Sequence, residues 1–172
     1  MAIDLLVQLA VSLIRMLAAI VLSAGALYSG ISLLDRLTSS IDEWKEIRKG
    51  NAALGILFAS VVISVFLLTE SRISDFVFSV SWGFDPVLVA KILAITSINY
   101  LLGIFASLII IFLTINVIDR ITPDLDELAE LKKGNLAVAI LLSVSIVLVV
   151  LAVRSPLEAA FGILKGIESA LL

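Results

Sequence analysis

Six carboxylates in two matching sets, Asp42, Glu43 and Glu46, then Asp126, Glu127 and Glu130, are the residues whose type and spacing come nearest to chemistry. Offsets of three and four place carboxylates on one helical face, where they can hold a divalent cation or act as acid and base. Basic residues follow at once, Lys45, Arg48 and Lys49 in the first set and Lys132 and Lys133 in the second. The ligand count and fixed spacing of a dedicated metal site are missing. The pattern is that of a solvated helix with compensating charges. Cysteine and histidine are both absent, which removes thiolate and imidazole ligands and the Ser-His-Asp and Cys-His arrangements. No catalytic residue, metal or cofactor is expected, and the chain reads as a non-enzymatic protein.

The carboxylates belong to a repeat. Leu34–Asn51, LDRLTSSIDEWKEIRKGN, returns as Ile118–Asn135, IDRITPDLDELAELKKGN, with Asp35/Asp119, Arg36/Arg120, Asp42/Asp126, Glu43/Glu127, Gly50/Gly134 and Asn51/Asn135 among the identities. These stretches are two polar hinges, 34–50 and 118–134, in repeats of about 1–84 and 85–172. Ser40 and Glu43 are spaced as an N-cap and its partner, so a short helix is expected from near Ile41; Pro123 and Asp124 serve the second copy.

What positions the hinges is apolar. With 61% hydrophobic and 16% charged residues, the chain falls well below the charged fraction of about 25% usual in soluble domains. The fold class is an all-α membrane protein, one membrane domain with four transmembrane helices as two tandem two-helix repeats. Spans are expected at about 5–33, 52–68, 92–117 and 136–153, each long enough for ~30 Å of hydrocarbon. Residues 71–90 contain no uncharged run long enough to cross; Ile73, Phe76, Val77 and Val80 recur at helical spacing, predicting an interfacial helix with Trp82 near the headgroups. The tail after Pro156 is expected to be its counterpart, with Leu157 and Phe161 on one side and Glu158 on another. Seven of the twelve basic residues (Arg36, Lys45, Arg48, Lys49, Arg120, Lys132, Lys133) lie in the hinges. The positive-inside rule then puts both hinges in the cytoplasm and both termini outside, with the repeats parallel about a pseudo-twofold axis along the membrane normal. No basic surface for nucleic acid is evident.

Within this frame the remaining polar residues take places. Arg15 falls ~27 Å from the cytoplasmic end of its span, where it can snorkel to the outer interface; Asn99, its equivalent, lies in the same band. Asp35 and Arg36, with Asp119 and Arg120, stand at the cytoplasmic ends of the first spans, where a charge-paired clasp of Asp35 with Arg120 would join the hinges. Gly50-Asn51 and Gly134-Asn135 form packing and capping joints, with a polar pathway between facing asparagines as the functional alternative.

Two-span units with D-x-x-T, a D-E dipeptide and K-G-N-x-A opening the next span resemble the YjfL-like DUF350 family of duplicated prokaryotic integral membrane proteins. The resemblance is clearest at 34–57 and 118–141. It implies the architecture above and no established activity, with a setting in envelope stress or maintenance beside partner membrane proteins. The expected function is association in the membrane, as a homo-oligomer or an accessory subunit in contact with lipid. A small ion or solute channel or carrier along the pseudo-twofold axis is the alternative.

Overall fold

A computed structural model describes residues 2–38, 42–79 and 86–171. Within each repeat two long helices are joined by a short one: α1 (Ala2–Leu37), α2 (Glu43–Arg48) and α3 (Ala52–Ser79), then α4 (Pro86–Ile121), α5 (Glu127–Lys132) and α6 (Leu136–Leu171). The long helices follow from runs of Leu, Ile, Val and Ala in a medium where every backbone polar group must be satisfied within its own segment. Hydroxyls comply as well: Ser60, Thr69, Ser107 and Thr114 each donate to a carbonyl three or four residues back. Four helical stretches, Asp4–Arg36, Ala52–Ser79, Val87–Ile121 and Leu136–Ile163, are long and apolar enough to cross a membrane. The chain is accordingly a multi-pass membrane protein.

α3 is the central helix, packed by α1, α4 and α6. Its buried side chains Leu54, Leu57, Val61, Val65 and Leu68 meet Leu142, Ile146 and Val150 of α6 in one core. Small residues set the approach of the outer helices. A Cβ on Gly30 of α1 would stand 3.2 Å from Val65 Cγ2, one on Gly25 2.9 Å from the Tyr100 hydroxyl, and one on Gly103 of α4 2.8 Å from Arg72 Cγ. Tyr100 Oη donates to the Leu22 carbonyl at 2.6 Å, tying α4 to α1.

The repeats run in the same direction, because Asn51 at the start of α3 reaches α5 of the other hinge while charged residues late in α3 and α6 meet at the opposite end. They are not packed alike. α1 lies along α3, whereas α4, its counterpart, is shared between α3 and α6. Thr114 occupies in α4 the place of Gly30 in α1, and beside it α4 and α6 part around an apolar groove of about 530 Å³.

The expected interfacial helices differ from what is observed. Residues 71–79 continue α3, and the tail continues α6 straight through Pro156. Glu70, Ser71 and Arg72 carry charge and polarity but no helix breaker, and proline's fixed φ suits a helix at the cost of one hydrogen bond. Trp82 lies outside the described residues. The short helices also begin later than expected: Asp42 and Asp126 are the N-caps, accepting from Lys45 N at 3.0 Å and Ala129 N at 2.9 Å. Ser40 lies outside the described residues; in the second copy Asp126 caps α5 in place of Pro123-Asp124 because it stands immediately before the first turn, where its carboxylate reaches a free N–H group.

Candidate functional site

The K-G-N triplets are double caps. Gly50 has φ +87° and Gly134 φ +82°, the left-handed region that glycine tolerates best. Gly50 N donates to Ile47 O at 2.9 Å and Asn51 N to Glu46 O at 3.1 Å; Gly134 N and Asn135 N repeat the pattern to Leu131 O and Glu130 O. These are the paired bonds of a Schellman C-cap. The next residue then caps the following span: Asn51 Oδ1 accepts from Leu54 N at 3.3 Å, and Asn135 Oδ1 from Ala137 N at 3.1 Å. Each short helix thus ends, and each long one starts, within three residues.

The two asparagine amides then diverge. Asn51 Nδ2 crosses to the other hinge and donates to the carbonyls of Leu131 at 2.9 Å and Lys132 at 3.3 Å. Asn135 Nδ2 stays in its own hinge and donates to Glu130 at 2.8 Å. That bond, followed by Lys133, holds the Glu130 carboxyl below the usual glutamate range, and Glu130 in turn raises Lys133. Among the described residues the hydrogen bonds between hinges therefore run from Asn51 to backbone. Among the described residues no ion pair joins Asp35 to Arg120; Asp35, Arg36, Asp119 and Arg120 are exposed in the last turns of α1 and α4. Glu127 is buried and accepts from the Thr122 hydroxyl, and the side chain of Glu43 is outside the described set. No group of three or more Asp, Glu, His or Cys suited to a metal occurs among the described residues.

At the far end stands a network that sequence reasoning missed. Arg72 is only 3% exposed; it donates to Glu158 at 2.6 Å and to Asp75 at 3.4 Å, and its guanidinium lies 4.3 Å from the centroid of Phe161. Ser71 donates to the same Glu158 at 2.5 Å, and Arg154 pairs with Glu70. Glu158 and Phe161 thus share the face turned to Arg72, where the sequence had placed them on different sides. The signal available was the spacing of Glu70, Arg72 and Asp75 against Arg154 and Glu158 at matching depths of two spans. Arg15 belongs to this end, its guanidinium 5.6 Å from the Phe78 ring centroid, while Asn99 is buried beside Tyr100.

A family model described as Domain of Unknown Function (DUF350) matches residues 8–102 and, a second time, residues 92–171. The chain belongs to the DUF350 family. No curated protein and no solved structure gives a match. The twofold DUF350 match agrees with the duplicated hinge, each copy holding one K-G-N joint and one pair of long helices. What separates the two DUF350 copies is the traffic of charge between them: Asn51 at one end, and Glu70 and Arg72 at the other, reach from the first copy into the second.

Proposed function

We propose that this DUF350 protein is a non-enzymatic membrane component that acts by helix association, as a homo-oligomer or as an accessory subunit of a larger membrane complex. The observation that carries this reading is the unequal packing of the repeats. Gly30 lets α1 close on α3, while Thr114 leaves the groove of about 530 Å³ between α4 and α6, walled by Leu113, Val117, Val149 and Val153. In lipid, apolar exposure by itself drives nothing; shape-matched packing does. A groove between the last third of α4 and the middle of α6 offers such packing to a helix of a second subunit. None of the most apolar window of α1 is buried in the single chain, so α1 is free to supply that helix.

The membrane frame completes the reading. Seven of twelve basic residues lie in the hinges, which favours a cytoplasmic location for both and places the termini outside. The ends of α3 and α6 beyond Thr69 and Val153, with Arg72, Arg154 and Glu158, then lie at the outer headgroup level, the setting expected of interfacial segments. The pseudo-twofold axis runs between α3 and α6. The channel alternative draws less support from the fold, because Val61, Val65, Ile146 and Val150 fill the space between α3 and α6.

The test is mass measurement of the protein in lipid nanodiscs over a range of protein-to-lipid ratios, with Ser145→Trp to obstruct the groove. More than one copy per disc, reduced by Ser145→Trp, is the expected result. A single copy at every ratio, together with no membrane protein retained by the parent and lost by Ser145→Trp, overturns the proposal. Ion flux into liposomes by the parent, abolished in Asn51→Leu plus Asn135→Leu, would instead favour the pathway.

A further inference from the structure

At the hinge end five helices converge without filling the space between them. About 390 Å³ remains, walled by Leu34, Leu57, Phe112, Leu131 and Leu142. Four of these walls, Leu34, Leu57, Leu131 and Leu142, belong to the buried core, while Phe112 is exposed, so the cavity lies at the base of the bundle and is partly open. Protein interiors pack as densely as organic crystals and keep few spaces larger than a water molecule. Left dry, a space of this size forfeits dispersion contacts on every wall; its volume is within the range of about 300–1,000 Å³ typical of small-molecule sites.

The polar part of the lining is one-sided. Asp119, Asp126 and Glu127 line the cavity together with Thr38 and Asn116, and among the described residues no lysine or arginine does. The basic residues of the hinges are engaged or turned outward: Lys49 pairs with Glu46 at 2.5 Å, Lys133 with Glu130 at 2.7 Å, and Lys132 is exposed. Glu127 is 8% exposed, fixed by Thr122 against apolar neighbours, while Asp119 and Asp126 are exposed and mark an aqueous rim. A buried carboxylate gains most from a cation that shares its low-dielectric surroundings. A metal ion fits poorly, since no set of ligands suited to one occurs among the described residues and half the wall is hydrocarbon.

We propose that this cavity binds a small alkylammonium, an amine cation carried on a hydrocarbon body. The ammonium lies between Asp119 and Glu127, donating to their carboxylates, and the alkyl body lies against Leu57, Leu131 and Leu142. Charge-assisted N–H···O bonds of this kind are about twice as strong as neutral ones, which sets the selectivity for the cation over a neutral isostere. The site is complete in one chain and stands whether or not the protein associates.

The experiment is calorimetric titration of n-hexylammonium, and of 1-hexanol in parallel, into the full chain in phosphatidylcholine nanodiscs, with empty discs subtracted. The expected result is saturable binding, one per chain, with 1-hexanol weaker by about tenfold or more. Asp119→Asn and Glu127→Gln should each weaken hexylammonium by about tenfold and leave hexanol unchanged. Leu142→Phe, which fills the cavity from its apolar wall, should abolish binding while keeping the parent's melting temperature or raising it. Equal binding of amine and alcohol, parent-like binding in Leu142→Phe, or no saturable heat above empty discs overturns the proposal.

Discussion

Glu70 and Arg154 occupy equivalent positions in the two repeats, and they pair with each other. Duplication placed one site on each side of the α3–α6 contact, and divergence gave the two sites opposite charge. A pair on such an axis cannot be made by two identical residues of like charge, so complementary substitution is what lets the ends of α3 and α6 away from the hinges close. Both side chains are about one-third exposed, which limits the gain to the range of partly screened pairs. In a double-mutant cycle with Glu70→Gln and Arg154→Gln we expect a coupling of about 0.5–1 kcal/mol, measured by unfolding in mixed micelles. The exchanged variant Glu70→Arg plus Arg154→Glu should recover most of it. Coupling of zero would mean the pair contributes nothing beyond its two charges.

Arg72 is a stronger case, because its side chain is 3% exposed while that of its partner Glu158 is 36% exposed. Removing Glu158 leaves a buried guanidinium with one long ion pair to Asp75, the Phe161 ring, and an Nε that has no hydrogen-bond partner among the described residues. We expect Glu158→Leu to destabilise by about 2–3 kcal/mol, and Arg72→Met combined with Glu158→Leu to be the more stable of the two variants. Micelle unfolding followed by far-ultraviolet circular dichroism decides it; a double variant weaker than Glu158→Leu alone would contradict the assignment of the cost to an unpaired charge.

Much of the fold is legible from the residues. The K-G-N triplets read as packing and capping joints; asparagine caps are found at both hinges, and the left-handed glycine before each is what the structure adds. The four apolar runs predict four long helices. The network at the ends of α3 and α6 is harder to read, because a charge at the end of an apolar run looks like a boundary whether the helix stops there or goes on. Glu70, Arg72, Arg154 and Glu158 follow the apolar runs, and only the packing shows that their helices continue and turn those charges toward each other. Gly103, paired with Ser107 at small-xxx-small spacing, reads as a place of close packing but does not say against what: its role is to make room for Arg72, a residue on another helix. The cavity at the hinge end is assembled from both repeats and five helices, so no single segment announces it.

Close approach at Gly25 gives a prediction with an internal control. A methyl there would stand 2.9 Å from the Tyr100 hydroxyl, which is held by the Leu22 carbonyl. Gly25→Ala should cost about 1–3 kcal/mol through overpacking, and Tyr100→Phe about 1 kcal/mol for the lost hydrogen bond. The double variant should be destabilised by clearly less than the sum, since removing the hydroxyl removes the obstacle. Additive losses in the same unfolding assay would place the cost of Gly25→Ala elsewhere.

The joint glycines should resist substitution for a backbone reason. Nothing stands within 4 Å of a Cβ built on Gly50, so any loss on Gly50→Ala comes from its φ of +87° and not from crowding. The expected loss is about 1–2 kcal/mol. Gly50→Asn should cost less, because asparagine visits the left-handed region more readily. Alanine and asparagine variants of equal stability would argue against the backbone as the source.

The last prediction concerns pH at the second hinge. The Glu130 carboxyl is held below its ordinary range first by the Asn135 amide and then by Lys133. A carboxyl whose folded pKa lies below its unfolded value contributes stability that is present above the unfolded pKa and lost as pH falls through the folded one. Lys133, raised by Glu130, has the opposite sense: its contribution is present below its unfolded pKa and is lost as pH rises through the raised value. Hinge order should therefore be greatest between the carboxylate and amine ranges and fall at both extremes. Asn135→Ala removes the largest single influence on Glu130, and should move the Glu130 carboxyl titration, followed by carbon-13 NMR of labelled glutamate, upward toward the ordinary value. The corresponding Asn51→Ala should leave Glu130 where it was, because Asn51 donates to backbone carbonyls of the other hinge. An unchanged Glu130 titration in Asn135→Ala would show that Lys133 alone sets it.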